Sequence, residues 1–538
     1  MLPKTPLETP RASALSVLDA TTANFALTNA IWLFEKPKSH GTDAPNGFEL
    51  SSHLRESLRS TLSAYPQWCG KLKSVTTVDG TVGEEAQHLP AHARRFGRIY
   101  AHYGTPQDPG VELVTASSSA ILDELYPALR TKDHPIWNLQ QVSLSDFIPP
   151  TSIATPLVPD KPDQEAGVGK ALMAIQITTL ACGGFIISAK IIHPLADISA
   201  LVAFVKDWAR VSRCILVGEP EPKLSPTFEP WRLDDQATGD INADTPEEPI
   251  IEKAKALPLH RYDWWAPAAS SPFPAKVPEV FQNEALTPAG NPMPWSEWDV
   301  KAPVSNYIIH FNREQIELLY ASAAAGISER ISRHDAVLAH IWSCIMRARN
   351  LHEDEGPVHC DLVYGLRPAL KLGEAFMGSP IMMINIEMSG RDMAATSSKK
   401  TSEEKGSEAV ALGVIARKAR QAISKVSDPT DLGAHIYSVM FEKSPQRLWQ
   451  AFMGQRHMLV TTWARAGLYE IDFGLGSAIR YADGVVPLLD GNVLIKEAPP
   501  SQETSSSRSW TENGVDVSVN IRQEDMERLI RDPLLFPS

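Results

Sequence analysis

Cysteine is scarce in this chain of 538 residues: Cys69, Cys182, Cys214, Cys344 and Cys360 are odd in number and share no C-x-x-C spacing. That scatter fits reduced thiols in a cytosolic protein and argues against a zinc site. Positive charge is in deficit too. Lys and Arg number 51 against 64 Asp and Glu, a formal net charge of −13, which disfavours a nucleic-acid partner. The run Arg94, Arg95, Arg98 reads as a solvated face. No apolar run reaches membrane-spanning length, because the richest, Ala171 to Val205, is broken by Gly183-Gly184, Lys190, His193 and Asp197. The opening MLPKTPLETPRASALSVLD lacks the apolar core of a signal peptide. There is no internal repeat and no G-x-S-x-G, so a serine-hydrolase route has no support. The acidic stretch HEDE at His352 follows a helix end and reads as surface, not as metal ligands. These absences leave a cytoplasmic protein without membrane, nucleic-acid or metal partners.

What is present is the composition of a soluble globular protein, 43% hydrophobic and 21% charged, long enough for two or more domains. Leu54, Leu58, Leu62 and Tyr65 line one helical face before Pro66. Two strand patterns, ALMAIQITTL and FIISAKIIH, flank ACGG, whose adjacent glycines can take the positive φ of a tight hairpin. After Asp197, the residues Ile198, Leu201, Val202, Val205 and Ala209 keep helical spacing, and Phe204 and Trp208 add a second stripe. From about Glu219 to Pro303 proline is dense and periodicity fades, as in a long, partly extended crossover. SNYIIHFNREQIELLYASA then reads as strand and helix, SRHDAVLAHIWSCIMRARN as a helix, and HCDLVYGL as a strand. The expected organisation is one lobe over 1–215, a Pro-rich crossover over 216–303 and a second lobe over 304–538. Exposed polar insertions are expected near 390–408 and 499–510. The fold class is α/β, or layered α+β.

His193 stands where the strand pattern gives way to the helix. An imidazole there, with an ordinary pKa of roughly 6.5, suits proton abstraction from a hydroxyl near neutral pH. Pro194 stiffens the turn and Asp197 can cap the helix N-terminus. Taken alone, His-x-x-x-Asp is far more often a core histidine followed by an ordinary N-cap. A second signal is Asp472-Phe473-Gly474-Leu475-Gly476, where glycines two apart allow a tight bend or a close approach. It lacks the third glycine of a dinucleotide fingerprint.

Together, HPLAD and DFGLG resemble the paired signatures of the BAHD acyltransferases, the acyl-CoA-dependent enzymes of secondary metabolism. LSVLD, LRESLRSTLSAYPQWCGKL, ACGGFIISAKIIH, AVLAHIWSCIMRAR and GLRPAL…FMGS are similar to further family segments, in family order. The resemblance spans nearly the whole chain outside the crossover and the polar insertions. It implies two chloramphenicol-acetyltransferase-like lobes, each a mixed sheet with flanking helices, and a monomer. It implies acyl-CoA as co-substrate, no permanently bound cofactor, and a small-molecule alcohol or amine as acceptor. His193 would be the catalytic base. Asp197 would pair with Arg367, a pairing whose loss on one side costs about 3–5 kcal/mol. Thr461 and Trp463 of VTTW would lie near the acceptor and the oxyanion, with the indole N–H as donor. Asp472, Gly474 and Gly476 would support the lobe interface and the donor channel. Ile198 replaces the family's glycine and Leu475 its tryptophan, departures that bear on substrate class and occur among fungal members. The alternatives are a condensation-domain-like enzyme taking carrier-protein thioesters, against which Ile192 replaces the expected second histidine, and a non-catalytic small-molecule binder.

Overall fold

The computed structural model describes residues 1–38, 49–128, 134–153, 170–267, 271–272, 277–325, 328–394, 404–500 and 509–537. The expected hairpin pairs Met173–Leu180 antiparallel with Phe185–Ile191. Of its two glycines only Gly183 takes a positive φ, 83°. Gly184 serves differently: a Cβ there would sit 2.8 Å from the Phe34 carbonyl oxygen. The hairpin belongs to a five-stranded sheet ordered Ile479–Gly484, Thr28–Phe34, Phe185–Ile191, Met173–Leu180, Glu112–Ser118.

Alternation along Thr28–Phe34 explains how this sheet is held. Ala30, Trp32 and Phe34 face one apolar cluster with Phe204, Trp208, Leu54 and Leu58 of the helices Ile198–Val217 and Leu50–Thr61. Ile31 and Leu33 face another, with Leu144, Phe147 and Tyr481. With both faces covered, every residue of Phe185–Ile191 is buried, and its two polar side chains, Ser188 and Lys190, are bonded to the Phe147 and Pro149 carbonyls.

A seven-stranded mixed sheet carries the second half, in the order Ile381–Ser389, Pro357–Gly365, His457–Thr462, Asn492–Glu497, Val515–Arg522, Val304–Phe311, Ile136–Asn138. The helix Arg333–Ala348, capped reciprocally by Ser332 and Asp335, packs on it with Glu404–Ser427 and Gln523–Leu529. The two sheets exchange edge strands. Ile136–Asn138, from the first half, pairs with Val304–Phe311, and Ile479–Gly484, from the second, pairs with Thr28–Phe34. A division at 215 and 303 therefore does not separate the sheets. Three residues of strand are too few to show a period in the sequence.

The crossover is more than an extended connection. It forms the helices Trp231–Asp234 and Glu248–Lys255 and a two-residue strand, Tyr262–Asp263, paired with Leu448–Trp449. Tyr262, Met293, Trp295, Trp298 and Phe452 make a small aromatic core under it. Arg447 fastens it with a two-pronged ion pair to Asp263, at 2.9 and 2.6 Å. The polar tract expected to be irregular from 390 to 408 is helical at both described ends, as Gly390–Ala394 and from Glu404 onward, and Met393 is buried. Residues 395–403 and 501–508 of the two expected insertions lie outside the described residues. No helix among the described residues is long and apolar enough to cross a membrane.

Candidate active site

His193 opens a single 3₁₀ turn, His193–Leu195, directly beyond the buried hairpin strand. Pro194 holds the φ that such a turn needs. Ala196 returns to extended backbone and bridges Gly378 in parallel, and Asp197 then caps the helix Ile198–Val217. One Asp197 oxygen accepts the Ala200 N–H at 3.0 Å, and the other is paired with the Arg367 guanidinium. Arg367 also donates to the carbonyls of Phe376, at 3.1 Å, and Gly378. The Gly378 carbonyl accepts the Asp197 N–H at 3.1 Å as well. Asp197 and Arg367 thus bind the segment Phe376–Ser379 to the turn that carries His193.

That segment delivers a residue the sequence reading noted only as part of a glycine turn. Ser379 is fully buried, and its Oγ lies 2.8 Å from His193 Nδ1. Its N–H donates to Asp19 Oδ1 at 2.6 Å, while the other Asp19 oxygen takes the Ser16 hydroxyl at 2.6 Å and the Ser16 N–H at 3.1 Å. Burial pushes the Asp19 carboxyl up to about 7, against these hydrogen bonds. Gly378, at φ 133°, is where Asp19 approaches: an added Cβ would stand 3.0 Å from its Oδ1. Asp19 belongs to LSVLD, a segment matched as the family's opening but given no role.

The imidazole itself is half-buried. The Phe25 ring meets it edge-on at 5.5 Å, and Phe25 in turn meets Trp449 at 5.0 Å. Burial lowers the His193 pKa to about 4, opposed by the nearby Asp197 charge. The ring is therefore neutral at physiological pH, with one nitrogen engaged by Ser379.

The DFGLG segment docks elsewhere, on the far end of the same helix. Gly474 and Gly476 adopt φ of 81° and 63°, and a Cβ on Gly474 would press on Arg213 Cγ at 2.8 Å. Asp472 accepts the Gly474 N–H at 2.8 Å through its side chain and an Arg213 N–H through its carbonyl. Phe473 inserts between Phe34 and Trp208 while its carbonyl accepts the Ser212 hydroxyl at 2.8 Å. Leu475 is buried in the same cluster, where the resembled motif has tryptophan. This segment clasps the first sheet and does not touch His193.

Thr461 lies at the end of the central strand His457–Thr462 and is half-buried. Trp463, two residues on, is buried, with its backbone N–H on the Ile495 carbonyl at 2.7 Å and its ring against Gly484. No hydrogen bond or ring contact among the described residues joins either one to His193. One residue beyond Trp463 a cavity of about 600 Å³ begins, lined by Ala464, Arg465, Arg330, Arg333, His334, Glu497 and Trp510, among others.

A model of the Transferase family matches residues 137–533. Acyltransferase AFT15-1 of Alternaria alternata is 26% identical over 99% of this chain and 95% of its own length. Among solved structures, Fusarium sporotrichioides TRI101 with coenzyme A and T-2 superposes with a TM-score of 0.60 at 15% identity, covering 97% of each chain. Vinorine synthase superposes at 0.56 and 16% identity, covering 98% of this chain and 94% of its own. These two share the fold, a pair of lobes built on mixed sheets. With the family model spanning most of its length, the chain belongs to the transferase family of BAHD acyltransferases and is an acyltransferase enzyme.

Proposed function

We propose that His193 is the general base through which this acyltransferase moves an acyl group from a coenzyme A thioester to the hydroxyl or amine of a small secondary metabolite. The observation that carries the reading is the contact between His193 Nδ1 and Ser379 Oγ at 2.8 Å. With Nδ1–H donating to Ser379, Nε2 keeps its lone pair for the acceptor's proton. The acceptor oxygen or nitrogen attacks the thioester carbonyl as Nε2 takes its proton. The C–S bond then breaks, and the imidazolium returns the proton to the departing thiolate. A low imidazolium pKa favours that second transfer. Trp463, with Thr461, is assigned to the carbonyl oxygen as negative charge develops there.

Donor and acceptor reach His193 from opposite sides of the seam between 1–215 and 304–538. The cavity beyond Trp463 is proposed as the donor's entrance, with Arg465, Arg330 and Arg333 toward the phosphates. Structures of Fusarium TRI101 hold coenzyme A together with T-2 or deoxynivalenol. Rice relatives named for putrescine and agmatine keep an amine acceptor open. As the family resemblance implies, the protein is taken to act as a monomer. The described cysteines are all free, which suits a cytoplasmic setting.

Replacing His193 by Ala is expected to reduce thiol release from acyl-CoA, over a panel of acceptors, by about 10³-fold or more while the melting temperature holds. Wild type no faster than the variant would instead favour a non-catalytic binder.

The pH profile provides a second check. The folded imidazole titrates near 4, below the roughly 6.5 of an unfolded chain. The unfolded state therefore binds the proton first as pH falls. Stability from neutral His193 is complete above about 6.5 and is lost as pH drops toward the folded value. The acid limb of kcat/KM is expected on that low side, well under 6.5. A limb centred at 6.5 would contradict the burial.

Asp197→Ala and Arg367→Ala should each destabilise the protein in denaturant titrations, with the double variant less damaged than their sum by at least about 1 kcal/mol. Additive losses would dissolve the pair. Arg465→Ala should raise KM for acyl-CoA roughly fivefold with kcat unchanged, and leave KM for a phosphate-free acyl-pantetheine where it was. Equal effects on both donors would remove the cavity from the donor's path.

A further inference from the structure

Away from His193, three imidazoles gather at the root of the crossover, two of them against one buried carboxylate. His359 and His457 are register partners on the parallel strands Pro357–Gly365 and His457–Thr462. Asp361, two residues beyond His359, points to the same face. His260 reaches the group from the crossover, just ahead of the strand Tyr262–Asp263. One nitrogen of each histidine lies within 4.8 Å of the others. Asp361 Oδ1 is 3.2 Å from His260 Nε2, and its Oδ2 is 3.5 Å from His457 Nδ1. The side chains of Asp361 and His457 are 0% and 2% exposed.

The polar bookkeeping of this cluster does not close. His260 Nε2, His457 Nδ1 and Asp361 Oδ1 are all buried, and their contacts with one another, at 3.2 and 3.5 Å, are ion-pair approaches without the direction of a good hydrogen bond. Buried polar atoms are ordinarily well satisfied, and three poorly directed ones gathered at a single place point to a common partner. Two of the remaining atoms are already held, as the groups behind metal ligands usually are. Asn385 Oδ1 meets His359 Nδ1 at 3.1 Å, leaving its Nε2 free to turn inward, and the Phe452 N–H donates to Asp361 Oδ2 at 2.8 Å.

We infer that His260, His359, His457 and Asp361 bind one divalent transition-metal ion of the zinc class. The three imidazole nitrogens supply three positions of a four-coordinate shell, and Asp361, beside His260 and His457, is the carboxylate placed to turn inward and complete it. Metal–nitrogen bonds of about 2.0–2.1 Å set the nitrogens of a tetrahedral site about 3.4 Å apart, so separations of up to 4.8 Å here close by up to about 1.4 Å on binding. None of the five cysteines takes part, so the cysteine spacing that argued against zinc could not register this set. The ion's place is structural. It pins the crossover to the seven-stranded sheet, next to the strand that carries Trp449 against Phe25, and Phe25 against His193.

The test uses the untagged full-length chain, purified without chelator. Elemental analysis is expected to find about one equivalent of zinc. After chelator treatment, zinc chloride should raise the melting temperature by at least about 3 °C. Cobalt chloride should give the intense visible bands of four-coordinate Co(II). His260→Ala, placed in the crossover outside the sheet, should keep its circular-dichroism spectrum and lose all three signals. A wild type that binds neither ion at saturating concentration, or a folded His260→Ala that binds as wild type does, overturns the assignment. Should the variant fail to fold, the wild-type cobalt spectrum decides by itself. None of these readouts passes through acyl transfer, so the outcome stands apart from the fate of the His193 reading.

Discussion

The ion pair between Asp197 and Arg367 is the constraint on which the rest of the site depends. Asp197 is at once the cap of a twenty-residue helix and the neighbour of the turn that aims His193. Arg367 is at once its counter-ion and the donor that gathers the carbonyls of Phe376 and Gly378. Both side chains are largely buried, so neither charge can be left alone without a large desolvation cost. Satisfying both fixes the Phe376–Ser379 segment against the first sheet. Ser379 then reaches the imidazole from a direction that no local feature of the HPLAD turn could supply.

The parts legible in the sequence were those governed by local rules. The hairpin before His193, the capped helix after it and the DFGLG bend rest on alternation, 3.6-residue periodicity and glycine conformations. Arg367 was anticipated only through family resemblance, because nothing between positions 197 and 367 links the two. Ser379 and Asp19 escaped for the same reason: a serine in a turn and an aspartate in a short helix carry no sign of facing each other. The crossover's aromatic core was hidden by its prolines, which separate Tyr262, Trp295 and Trp298 into stretches without a period. His260, His359 and His457 are each about a hundred residues apart, far beyond any metal-ligand spacing that a motif can express.

The two segments that replace family residues take different places. Leu475 is packed within the cluster that DFGLG forms with Trp208 and Phe34, so the smaller side chain is absorbed in the clasp at the helix's far end. Ile198 is half-buried at the first turn of that helix, beside the capping aspartate. The first departure concerns how the lobes hold together, the second the immediate surroundings of the imidazole. The wall formed by Phe25 and Trp449 adds contributions from the opening segment and the second half. The surroundings of the imidazole are thus assembled from parts that meet only in the finished fold.

The exchange of edge strands has a consequence for how the protein is made. Until residues 479–484 have left the ribosome, the strand Thr28–Phe34 has an open side, with the backbone groups that Ile479–Gly484 will engage. Its sequence, TNAIWLF, is apolar and rich in β-forming residues, the kind of exposed edge that recruits other chains. Translation therefore emits most of the polypeptide before its first sheet can close. A chain that ends before residue 479 leaves that edge uncovered, and so is no free-standing half.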